Sequence, residues 1–434
     1  MDKEIKAIIL GAGKGTRMKS AKPKVLHEIF NKPILAWVID ALSKLPYETE
    51  CITVIGHGAE DVEKYLNDNY KYVKTTIQKE QLGTGHAVAQ TLPLLASYRG
   101  TVVIVCGDTP LITTKSIRNF INYHEENNSD LTVMTAQFDN PAGYGRIVRN
   151  FKGEVIKIVE EKDAPENIKE IKEVNTGIYC LNWGKLKTAF SELKNNNAQG
   201  EYYLTDIIKW ARDNGLKVLG CKIADNREIF GINSRKHLAI ASKIMNERYL
   251  DELMDSGVTI VDPRSTYISP DTIIGVDTII YPNTYIEGKN EIAQRCKIGP
   301  LAHIRGNCEV GEGTKIGNFV EIKNAKIAKN SNVCHLTYIG DAKVGSHVNI
   351  GAGTIFANYN SITREKKQSI VADGASIGSN SVIVAPVNIG KDAMVAALSC
   401  ITKDVEQSSL AMTRTPQKEY KNWVQNKKGE NNES

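Results

Sequence analysis

A glycine-rich segment near the amino terminus, Leu-Gly-Ala-Gly-Lys-Gly-Thr-Arg-Met at residues 10–18, combines residue types that bind phosphate. It follows a short apolar run at residues 7–10 that is typical of a buried strand. Alternating glycines let backbone N–H groups approach a polyphosphate closely, and Lys14, Arg17 and Lys24 supply positive charge. The spacing matches neither a Walker loop nor the dinucleotide-binding Gly-x-Gly-x-x-Gly pattern. The segment therefore predicts a polyphosphate-binding loop of another kind.

Strand-like and helix-like segments alternate over residues 1–230, which predicts an α/β domain of the Rossmann-like class. Residues 51–55 and 101–106 are continuous apolar runs, as expected of buried parallel strands. Ligands of such sheets bind beyond the carboxyl ends of the strands. Both the glycine-rich segment and Asp108 follow a strand end, so we expect them to lie at the same edge of the sheet.

The second half of the chain has a period of six. Aliphatic residues recur at every sixth position from Ile268 to Ile322, and Gly follows several of them. A parallel β-helix with three short strands per coil has this period, because every sixth residue then points into its core. The pattern resembles the hexapeptide repeat of the left-handed β-helix proteins. It predicts a β-helix at residues 257–418, with an excursion loop at residues 360–368.

Two further segments connect or follow these domains. Residues 231–256 include a helical pattern with an apolar face and are predicted to form a helical linker arm. Residues 419–434 are rich in Lys, Asn and Glu, a composition that predicts a disordered tail.

The composition narrows the class of function. The 434 residues are 41% hydrophobic and 24% charged, and the net charge of +5 is too small to indicate nucleic-acid binding. No stretch approaches the ~18 apolar residues that a membrane span requires.

The eight cysteines lack Cys-x-x-Cys spacing and are expected to be free thiols in a reducing compartment. The amino terminus leaves no room for a signal peptide, so a cytoplasmic location is expected.

The first loop resembles that of the sugar-1-phosphate nucleotidyltransferases, and more motifs narrow the resemblance. Residues 4–418 closely resemble the bifunctional bacterial enzymes that make UDP-N-acetylglucosamine, in which a uridyltransferase and an N-acetyltransferase share one polypeptide. The motifs that carry this resemblance are Gln-Leu-Gly-Thr-Gly-His-Ala at residues 81–87, Gly-Tyr-Gly-Arg-Ile at 143–147, Asn-Asn-Asn-Ala-Gln-Gly-Glu-Tyr-Tyr at 195–203 and His-Leu-Thr-Tyr at 335–338.

For the first domain, the resemblance implies uridylyl transfer from UTP to N-acetylglucosamine-1-phosphate with Mg²⁺ held by Asp108 and Asn233. Mg²⁺ prefers hard oxygen ligands, some of them from phosphates and water. Lys24 and Arg17 are implied as the catalytic cations, and Glu161 and Lys162 are expected to be merely solvated. The implied nucleotide-binding and sugar-binding residues are Leu10, Gly11, Ala12, Gly13, Lys24, Gln78, Gly83, Thr84, Asp108, Gly145, Glu160, Asn175 and Asn233; of these, Gln78, Gly83 and Thr84 contact uracil, whereas Gly145, Glu160 and Asn175 contact the sugar.

For the β-helix, the resemblance implies acetyl transfer from acetyl-CoA to glucosamine-1-phosphate with His335 as general base. A histidine that titrates near neutrality suits this task. The resemblance also implies a homotrimer with acetyl-CoA bound between subunits. The implied contacts of glucosamine-1-phosphate are Arg305, Lys323, Tyr338 and Asn349, and those of acetyl-CoA are Ala352, Asn358, Tyr359, Ser379, Ala397 and Arg414.

The chain departs from the family pattern in three places. The β-helix is shorter by about two coils, lost between Gly288 and Pro300. The loop that reads Asn-Tyr-Asp-Gly in the family reads Asn-Tyr-Asn-Ser from Asn358 and is slightly longer. Leu398 stands where the family has Gly, beside the implied acetyl-CoA site. These departures bear on acetyl-CoA binding more than on His335.

Three hypotheses follow. The first is the bifunctional enzyme, favoured by the retained set of His335, Arg305, Lys323, Tyr338 and Arg414. The second is a monofunctional uridyltransferase whose β-helix is a trimerisation scaffold, favoured by the altered loop and Leu398. The third is a transferase for another sugar or nucleotide, which the motif at residues 195–203 and the β-helix disfavour.

Overall fold

The computed structural model describes residues 4–430. Contacts divide the chain into two compact units, Met1–Met245 and Asn246–Ser434, and each unit is described by itself. The boundary falls inside one long helix, Arg235–Asp255, so the arm expected at residues 231–256 contributes to both units.

The first unit is an α/β domain built on one nine-stranded mixed sheet, with a separate two-stranded sheet formed by its second and third strands. Short 3-10 helices at Thr16–Met18, Lys24–Leu26, Glu161–Asp163 and Asn226–Ile229 supplement the regular elements. The strands are β1 (Glu4–Leu10), β2 (Glu28–Ile29), β3 (Lys32–Pro33), β4 (Glu48–Ile55), β5 (Lys74–Ile77), β6 (Thr101–Cys106), β7 (Leu131–Gln137), β8 (Arg146–Arg149), β9 (Val155–Val159), β10 (Glu173–Asn182) and β11 (Val218–Lys222), and the helices are α1 (Ile34–Ser43), α2 (Ala59–Asn69), α3 (Thr84–Ala89), α4 (Thr114–Glu126), α5 (Glu166–Lys169), α6 (Trp183–Leu186), α7 (Ala189–Glu192) and α8 (Asp206–Asp213).

The order of strands in this sheet brings the predicted loops to one edge. The order is β11-β7-β10-β6-β1-β4-β5, with β1 parallel to both of its neighbours. Leu10 pairs with Cys106 at the carboxyl ends of β1 and β6, so the glycine-rich loop and Asp108 leave the sheet side by side, as predicted. β10 runs antiparallel between β6 and β7, and the β8–β9 hairpin pairs with it.

Both faces of the sheet are buried, which explains why its strands read as continuous apolar runs. In β1, Ile5, Ala7 and Ile9 enter one apolar core and Ile8 enters the other. This alternation is the period of two that an extended strand imposes on its side chains. Each fully buried aliphatic side chain contributes about 1.5–3 kcal/mol.

The second unit is a parallel β-helix preceded by the end of a long helix. That helix is α9 (Arg235–Asp255), and a 3-10 helix, Pro263–Ser265, lies in the first coil. The strands are β12 (Thr259–Ile260), β13 (Tyr267–Ile268), β14 (Ile273–Ile274), β15 (Ile279–Ile280), β16 (Tyr285–Glu287), β17 (Glu291–Ile292), β18 (Lys297–Ile298), β19 (His303–Arg305), β20 (Glu309–Val310), β21 (Lys315–Asn318), β22 (Glu321–Lys323), β23 (Lys326–Ile327), β24 (Asn332–His335), β25 (Tyr338–Gly340), β26 (Ala342–Val344), β27 (Asn349–Ile350), β28 (Ile355–Ala357), β29 (Ser369–Val371), β30 (Ser376–Ile377), β31 (Val382–Val384), β32 (Asn388–Ile389), β33 (Met394–Val395), β34 (Cys400–Ile401) and β35 (Leu410–Ala411).

The strands form three parallel sheets, the prism expected of a left-handed hexapeptide β-helix. Every third strand stacks in one sheet, as in the order β13-β16-β19-β22-β25-β28-β31-β34. The coil is eighteen residues long where Ile280 pairs with Ile298 and seventeen where Ile316 pairs with Val333. The aliphatic residues at every sixth position are buried in one continuous core, which confirms the β-helix prediction.

Two segments leave the regular coil. After β28, residues 358–368 form a short hairpin closed by an antiparallel bridge between Tyr359 and Lys366, at the position of the predicted excursion loop. Within the tail predicted as disordered, the structure has a helix, α10 (Trp423–Glu430), whose residues 423–428 are exposed. Residues 431–434 of that tail lie outside the described residues.

Candidate functional site

The glycine-rich loop is folded back onto Lys24. The Gly11 N–H donates to Val54 O at 2.9 Å, which ties the start of the loop to β4. Gly15 has a φ of +59°, and a Cβ there would lie 2.6 Å from Lys24 Cβ. Only glycine accepts both the left-handed conformation and the close approach. By contrast, a Cβ at Gly13 would meet no atom within 4 Å, so its backbone is open to a ligand.

Lys24, Asp108 and Asn233 meet at one point. Lys24 Nζ lies 2.5 Å from Asp108 Oδ2 and donates to Asn233 Oδ1 at 3.3 Å. Asp108 O also accepts from the Ile232 N–H at 2.9 Å, which holds the segment before Asn233 against the end of β6. Two hard oxygens therefore converge on one cation-sized position, a donor set that fits Mg²⁺. Within residues 4–430 there is no cluster of three or more His, Cys, Asp or Glu side chains suited to a metal.

Lys24 and Asp108 line a cavity of about 420 Å³ at the strand ends, and Asn233 is not among its lining residues. Cys106 lines the cavity, and burial, with Asp108 nearby, raises the pKa of its thiol to about 12. The thiol therefore stays protonated and does not act as a nucleophile. Arg17 is exposed and is not among the described residues that line the cavity. The lining residues are Leu10, Gly11, Ala12, Gly13, Lys14, Lys24, Val25, Gln78, Gln81, Gly83, Thr84, Ala87, Cys106, Asp108 and Glu201.

The expected uracil contacts are held by the segment at residues 195–203, which we name the Asn arch. Gln78 is buried, and its Nε2 donates to Gly83 O at 3.0 Å. The Gly85 N–H donates to Tyr202 O at 2.8 Å. Gly83 has a φ of +109°, and a Cβ there would lie 2.6 Å from Tyr202 O. The glycines of this motif therefore allow the arch to pack directly on the turn.

The expected sugar contacts form a second group in the same unit. A Cβ on Gly145 would lie 3.3 Å from a Glu160 oxygen, and Asn175 N donates to Gly145 O at 2.8 Å. Asn175 Oδ1 accepts from Tyr179 OH and from the Gly177 N–H, both at 3.0 Å, where the register of β10 shifts. The structure thus brings Gly145, Glu160 and Asn175 together.

Glu160 is a half-buried carboxyl in acidic surroundings. Burial raises its pKa, and the nearby carboxylates of Asp163 and Asp206 act in the same direction. The hydrogen bond from Thr205 Oγ1, at 3.1 Å, opposes this rise.

Glu161 is not merely solvated, which corrects the expectation for it, whereas Lys162 is exposed as expected. Glu161 Oε2 lies 2.7 Å from Nη1 of Arg146, and Lys162 Nζ donates to Gln199 Oε1 at 2.7 Å. The sequence did not reveal these partners because a run of charges is usually a solvated face.

Asp163 accepts hydrogen bonds from two residues of the Asn arch. Its carboxylate accepts from the Ala198 N–H at 2.9 Å and from Tyr203 OH at 3.1 Å. Since Tyr202 of the arch also contacts the Gly83 turn, the arch touches both that turn and the segment after Glu160. Gly145, Glu160 and Asn175 are not among the described residues that line the cavity.

In the second unit, four residues of the expected acetyl-transfer site stack in one column. Gly353 N donates to His335 O, Asn380 N to Ala352 O, and Leu398 N to Ser379 O, at 3.3, 2.7 and 2.9 Å. These bonds place the following residues at equivalent turns of consecutive coils: His335, Ala352, Ser379 and Ala397. Because stacked strands are about 4.8 Å apart, the column is a straight edge suited to an extended ligand.

His335 is oriented by a residue that the sequence did not indicate. It is exposed at the end of β24, and its Nδ1 lies 2.8 Å from Asn318 Oδ1 at the equivalent position of the preceding coil. The amide oxygen only accepts, so Nδ1 carries the proton and Nε2 of the neutral ring is left as an acceptor. Asn318 is seventeen residues away in sequence, and only the length of the coil brings it to His335.

The expected phosphate contacts form a cationic group on the neighbouring sheet. Arg305 pairs in register with Lys323, and its Nη2 lies 2.6 Å from Glu321 Oε1. Partial desolvation, together with the charges of Arg305 and of Lys366 from the excursion loop, lowers the pKa of Lys323. The side chains of Arg305, Lys323 and Lys366 therefore lie close together. Three neighbouring positive charges favour binding of a doubly charged phosphate.

Tyr338 and Asn358 meet beside this cationic group. A Cβ on Gly340 would lie 2.3 Å from Tyr338 OH and 2.6 Å from Asn358 Nδ2, and the same Nδ2 donates to Asp341 Oδ2 at 2.5 Å. The remaining expected contacts, Tyr359, Asn349 and Arg414, are exposed, and Asn349 pairs in register with Asn332 and not with His335.

The fold and these sites define a class of protein. Residues 6–226 match the family described as Nucleotidyl transferase, and residues 291–324 match the family described as Bacterial transferase hexapeptide (six repeats). The molecule is therefore a nucleotidyltransferase joined to a hexapeptide transferase domain. No helix within residues 4–430 has the length and apolar character needed to cross a membrane.

Full-length relatives specify the family further. The chain is 43% identical over 454 positions to the Bifunctional protein GlmU of Halalkalibacterium halodurans, covering 97% of this chain and 98% of that protein. It is 44% identical over 451 positions to that of Geobacillus sp. (strain WCH70), covering 96% and 97%. It is 43% identical over 455 positions to that of Caldanaerobacter subterraneus subsp. tengcongensis, covering 97% and 98%. The chain belongs to the GlmU family of bifunctional transferases.

Proposed function

We propose that this protein makes UDP-N-acetylglucosamine by two reactions at two sites. The second unit transfers the acetyl group of acetyl-CoA to glucosamine-1-phosphate, and the first unit transfers the uridylyl group of UTP to N-acetylglucosamine-1-phosphate. The observation that carries the proposal is that one chain holds both the Lys24–Asp108–Asn233 cluster at a cavity and an oriented His335 on a β-helix. The monofunctional hypothesis is not favoured, because the bifunctional relatives align along nearly the whole chain.

In the uridylyl reaction, an oxygen of the sugar phosphate attacks the α-phosphorus of UTP, the bond to the bridging oxygen breaks, and pyrophosphate leaves. No general base is needed, since the attacking oxygen is already anionic. Bound at Asp108 and Asn233, Mg²⁺ would neutralise charge on the phosphates. Lys24 then turns its ammonium group from Asp108 to the phosphates and stabilises the charge on the transferred group. Arg17, on the exposed turn, is assigned to the leaving pyrophosphate.

The substrate groups are assigned by chemistry. Gln78 and Thr84 present amide and hydroxyl groups to the uracil edge, and Gly83 lets the ring approach the backbone. Glu160 accepts hydrogen bonds from sugar hydroxyl or amide groups beside Gly145, and the side-chain amide nitrogen of Asn175 donates to the sugar. The contact of Tyr202 with the Gly83 turn and of Tyr203 with Asp163 supports binding of both substrates in one site.

In the acetyl reaction, Nε2 of His335 takes a proton from the 2-amino group of glucosamine-1-phosphate. The nitrogen attacks the thioester carbonyl carbon, the carbon–sulfur bond breaks, and the CoA thiolate takes the proton from His335 and leaves as the thiol. Arg305 and Lys323 hold the sugar phosphate, while Tyr338 and Asn349 contact the sugar. Acetyl-CoA is assigned to the edge formed by Ala352, Ser379 and Ala397, with Asn358, Tyr359 and Arg414 beside it.

We also infer self-association into a homotrimer located in the cytoplasm. A groove of about 950 Å³ runs along the sheet that contains β14 and β29, and exposed Ile273 and Ile370 contribute to its apolar lining. Such a surface suits contact with another copy of the chain. All eight cysteines are free thiols, which suits a reducing compartment. Light scattering should give three times the 47.9 kDa of the chain.

The test measures the two reactions separately on the purified protein. UTP with N-acetylglucosamine-1-phosphate should release pyrophosphate, and acetyl-CoA with glucosamine-1-phosphate should release free thiol. Chelation of divalent cations should stop the first reaction and leave the second unchanged. Pyrophosphate release without any sugar-dependent thiol release would instead support the hypothesis of a scaffold β-helix.

A further inference from the structure

Arg146 is a buried guanidinium directly after Gly145 of the sugar group. It is 2% exposed and lies at the start of β8. Its Nη1 donates to Tyr144 O, and its Nε donates to Lys169 O at 3.3 Å. These two carbonyl oxygens are neutral, so they do not balance the positive charge. A buried charge without an opposite charge is strongly destabilising.

Glu161 supplies the opposite charge and directly follows Glu160. Glu161 Oε2 lies 2.7 Å from Arg146 Nη1, and about a third of the Glu161 side chain is exposed. In the β8–β9 ladder Arg146 pairs with Val159, the residue before Glu160. The ion pair thus joins the residues that follow the two expected sugar contacts, where the Gly145 Cβ position and Glu160 Oε2 are 3.3 Å apart.

We propose that Arg146 and Glu161 are positioning residues that set the affinity of the uridyltransferase site for the sugar phosphate. Their ion pair fixes Gly145 against Glu160, and neither residue is among those that line the cavity beside Lys24. This inference rests on the proposed function. Loss of the pair leaves the Arg146 charge with neutral acceptors, so the segment at residues 144–146 shifts relative to Glu160. The groups at Lys24 and Gln78 are held by other contacts and stay in place.

The test is Glu161→Gln, with Glu166→Gln as the matched control. Glu166 lies five residues further on, its side chain is 88% exposed, and it pairs with Lys169 on α5. Glu161→Gln should raise KM for N-acetylglucosamine-1-phosphate about tenfold, the effect of losing a partly buried charged contact. KM for UTP and kcat should stay within about twofold. Glu166→Gln should leave all three constants unchanged.

Two outcomes would overturn the proposal. Unchanged KM values in Glu161→Gln would show that the pair does not position the sugar site. Equal increases in both KM values, with a lowered Tm, would show a purely structural role. If the wild-type protein gave no turnover, the proposed function would fail, and calorimetric titration would still decide the inference: Glu161→Gln should weaken binding of UDP-N-acetylglucosamine and leave UTP binding unchanged.

Discussion

Lys24 neutralises the Asp108 carboxylate and donates to the Asn233 amide oxygen, the two oxygens that we assign to Mg²⁺. This contact explains how the two oxygens are held together before substrates bind. Both partners of the Lys24–Asp108 pair are largely buried, so their charges interact in a medium less polar than water. On the proposed function, Mg²⁺ would compete with Lys24 for Asp108, and Lys24 would then contact the substrate phosphates.

Asn318 fixes which nitrogen of His335 is available as a base, so it should affect acetyl transfer through kcat. Asn318→Ala removes the acceptor for Nδ1 and should lower kcat about tenfold, part of the 10²–10⁴-fold that a positioned base provides. KM for glucosamine-1-phosphate should stay within about twofold, because the phosphate contacts are on another sheet. Asn318→Asp keeps an acceptor and should retain most of the rate. The measurement is steady-state thiol release; equal rates for the alanine variant and wild type would contradict the assignment.

Replacing Glu160 should stabilise the fold at neutral pH and weaken binding of the sugar phosphate. Its folded-state pKa is raised, so the stability that its neutral form provides is present below the unfolded pKa and is lost as pH rises through the folded pKa. Glu160→Gln places a side chain that is neutral at every pH at this position, so the loss of stability at higher pH does not occur. The variant should melt a few degrees above wild type at neutral pH and no differently at about pH 4, while KM for the sugar phosphate rises. Thermal unfolding across this pH range is the measurement, and a variant less stable than wild type at neutral pH would contradict the argument.

At the scale of the element, the turns of the β-helix explain why glycine is expected at position 398. The equivalent turn positions after Asn318, His335 and Ser379 have φ values of +57°, +51° and +55°, and Leu398 has +61°. Glycine adopts such angles without strain, whereas other residues lose about 1–2 kcal/mol. The exposed Phe319 and Leu336 show that this chain accepts large residues at such turns. Leu398 therefore leaves the turn geometry intact.

Replacing Leu398 should test this strain directly. Leu398→Gly should raise the free energy of unfolding by up to about 1 kcal/mol, since relief of the left-handed conformation exceeds the entropy that glycine adds to the unfolded chain. Leu398→Ala is the control, because it removes the exposed side chain and keeps the Cβ. Chemical denaturation should separate the two variants. An equal gain in both would attribute the effect to the lost apolar side chain.

Elements that a local sequence pattern specifies could be predicted from the sequence. Features that depend on which strands pair, and in which direction, could not. The six-residue period specified the β-helix core because inward positions repeat regardless of which strands pair. The apolar runs identified β4 and β6 as buried, but apolar runs do not encode strand direction, so the antiparallel β10 was not predicted. Likewise Asn318 and Arg146 reach their partners only through coil length and hairpin register. The proposed contacts such as Gln78 came from motifs, not from geometry.

At the scale of the whole molecule, the two proposed sites lie in separate compact units of one chain. The Lys24–Asp108–Asn233 cluster and the Asn arch belong to the unit that ends at Met245, and His335 belongs to the unit that begins at Asn246. Each unit has its own apolar core, so a substitution in one site leaves the packing of the other unaffected. The product of acetyl transfer is a small sugar phosphate that diffuses in solution.

Two variants should therefore complement each other. Asp108→Ala removes the only carboxylate of the cluster and should lower pyrophosphate release by at least about 10²-fold, with thiol release unchanged. His335→Ala should lower thiol release about 10²–10⁴-fold, with pyrophosphate release unchanged. Asp139→Ala and His347→Ala, at exposed positions of the same units, are the controls. Neither active-site variant alone should convert glucosamine-1-phosphate, acetyl-CoA and UTP to UDP-N-acetylglucosamine, and an equal mixture of the two should. Failure of the mixture, with each separate reaction intact, would mean that the intermediate does not pass between sites on different molecules.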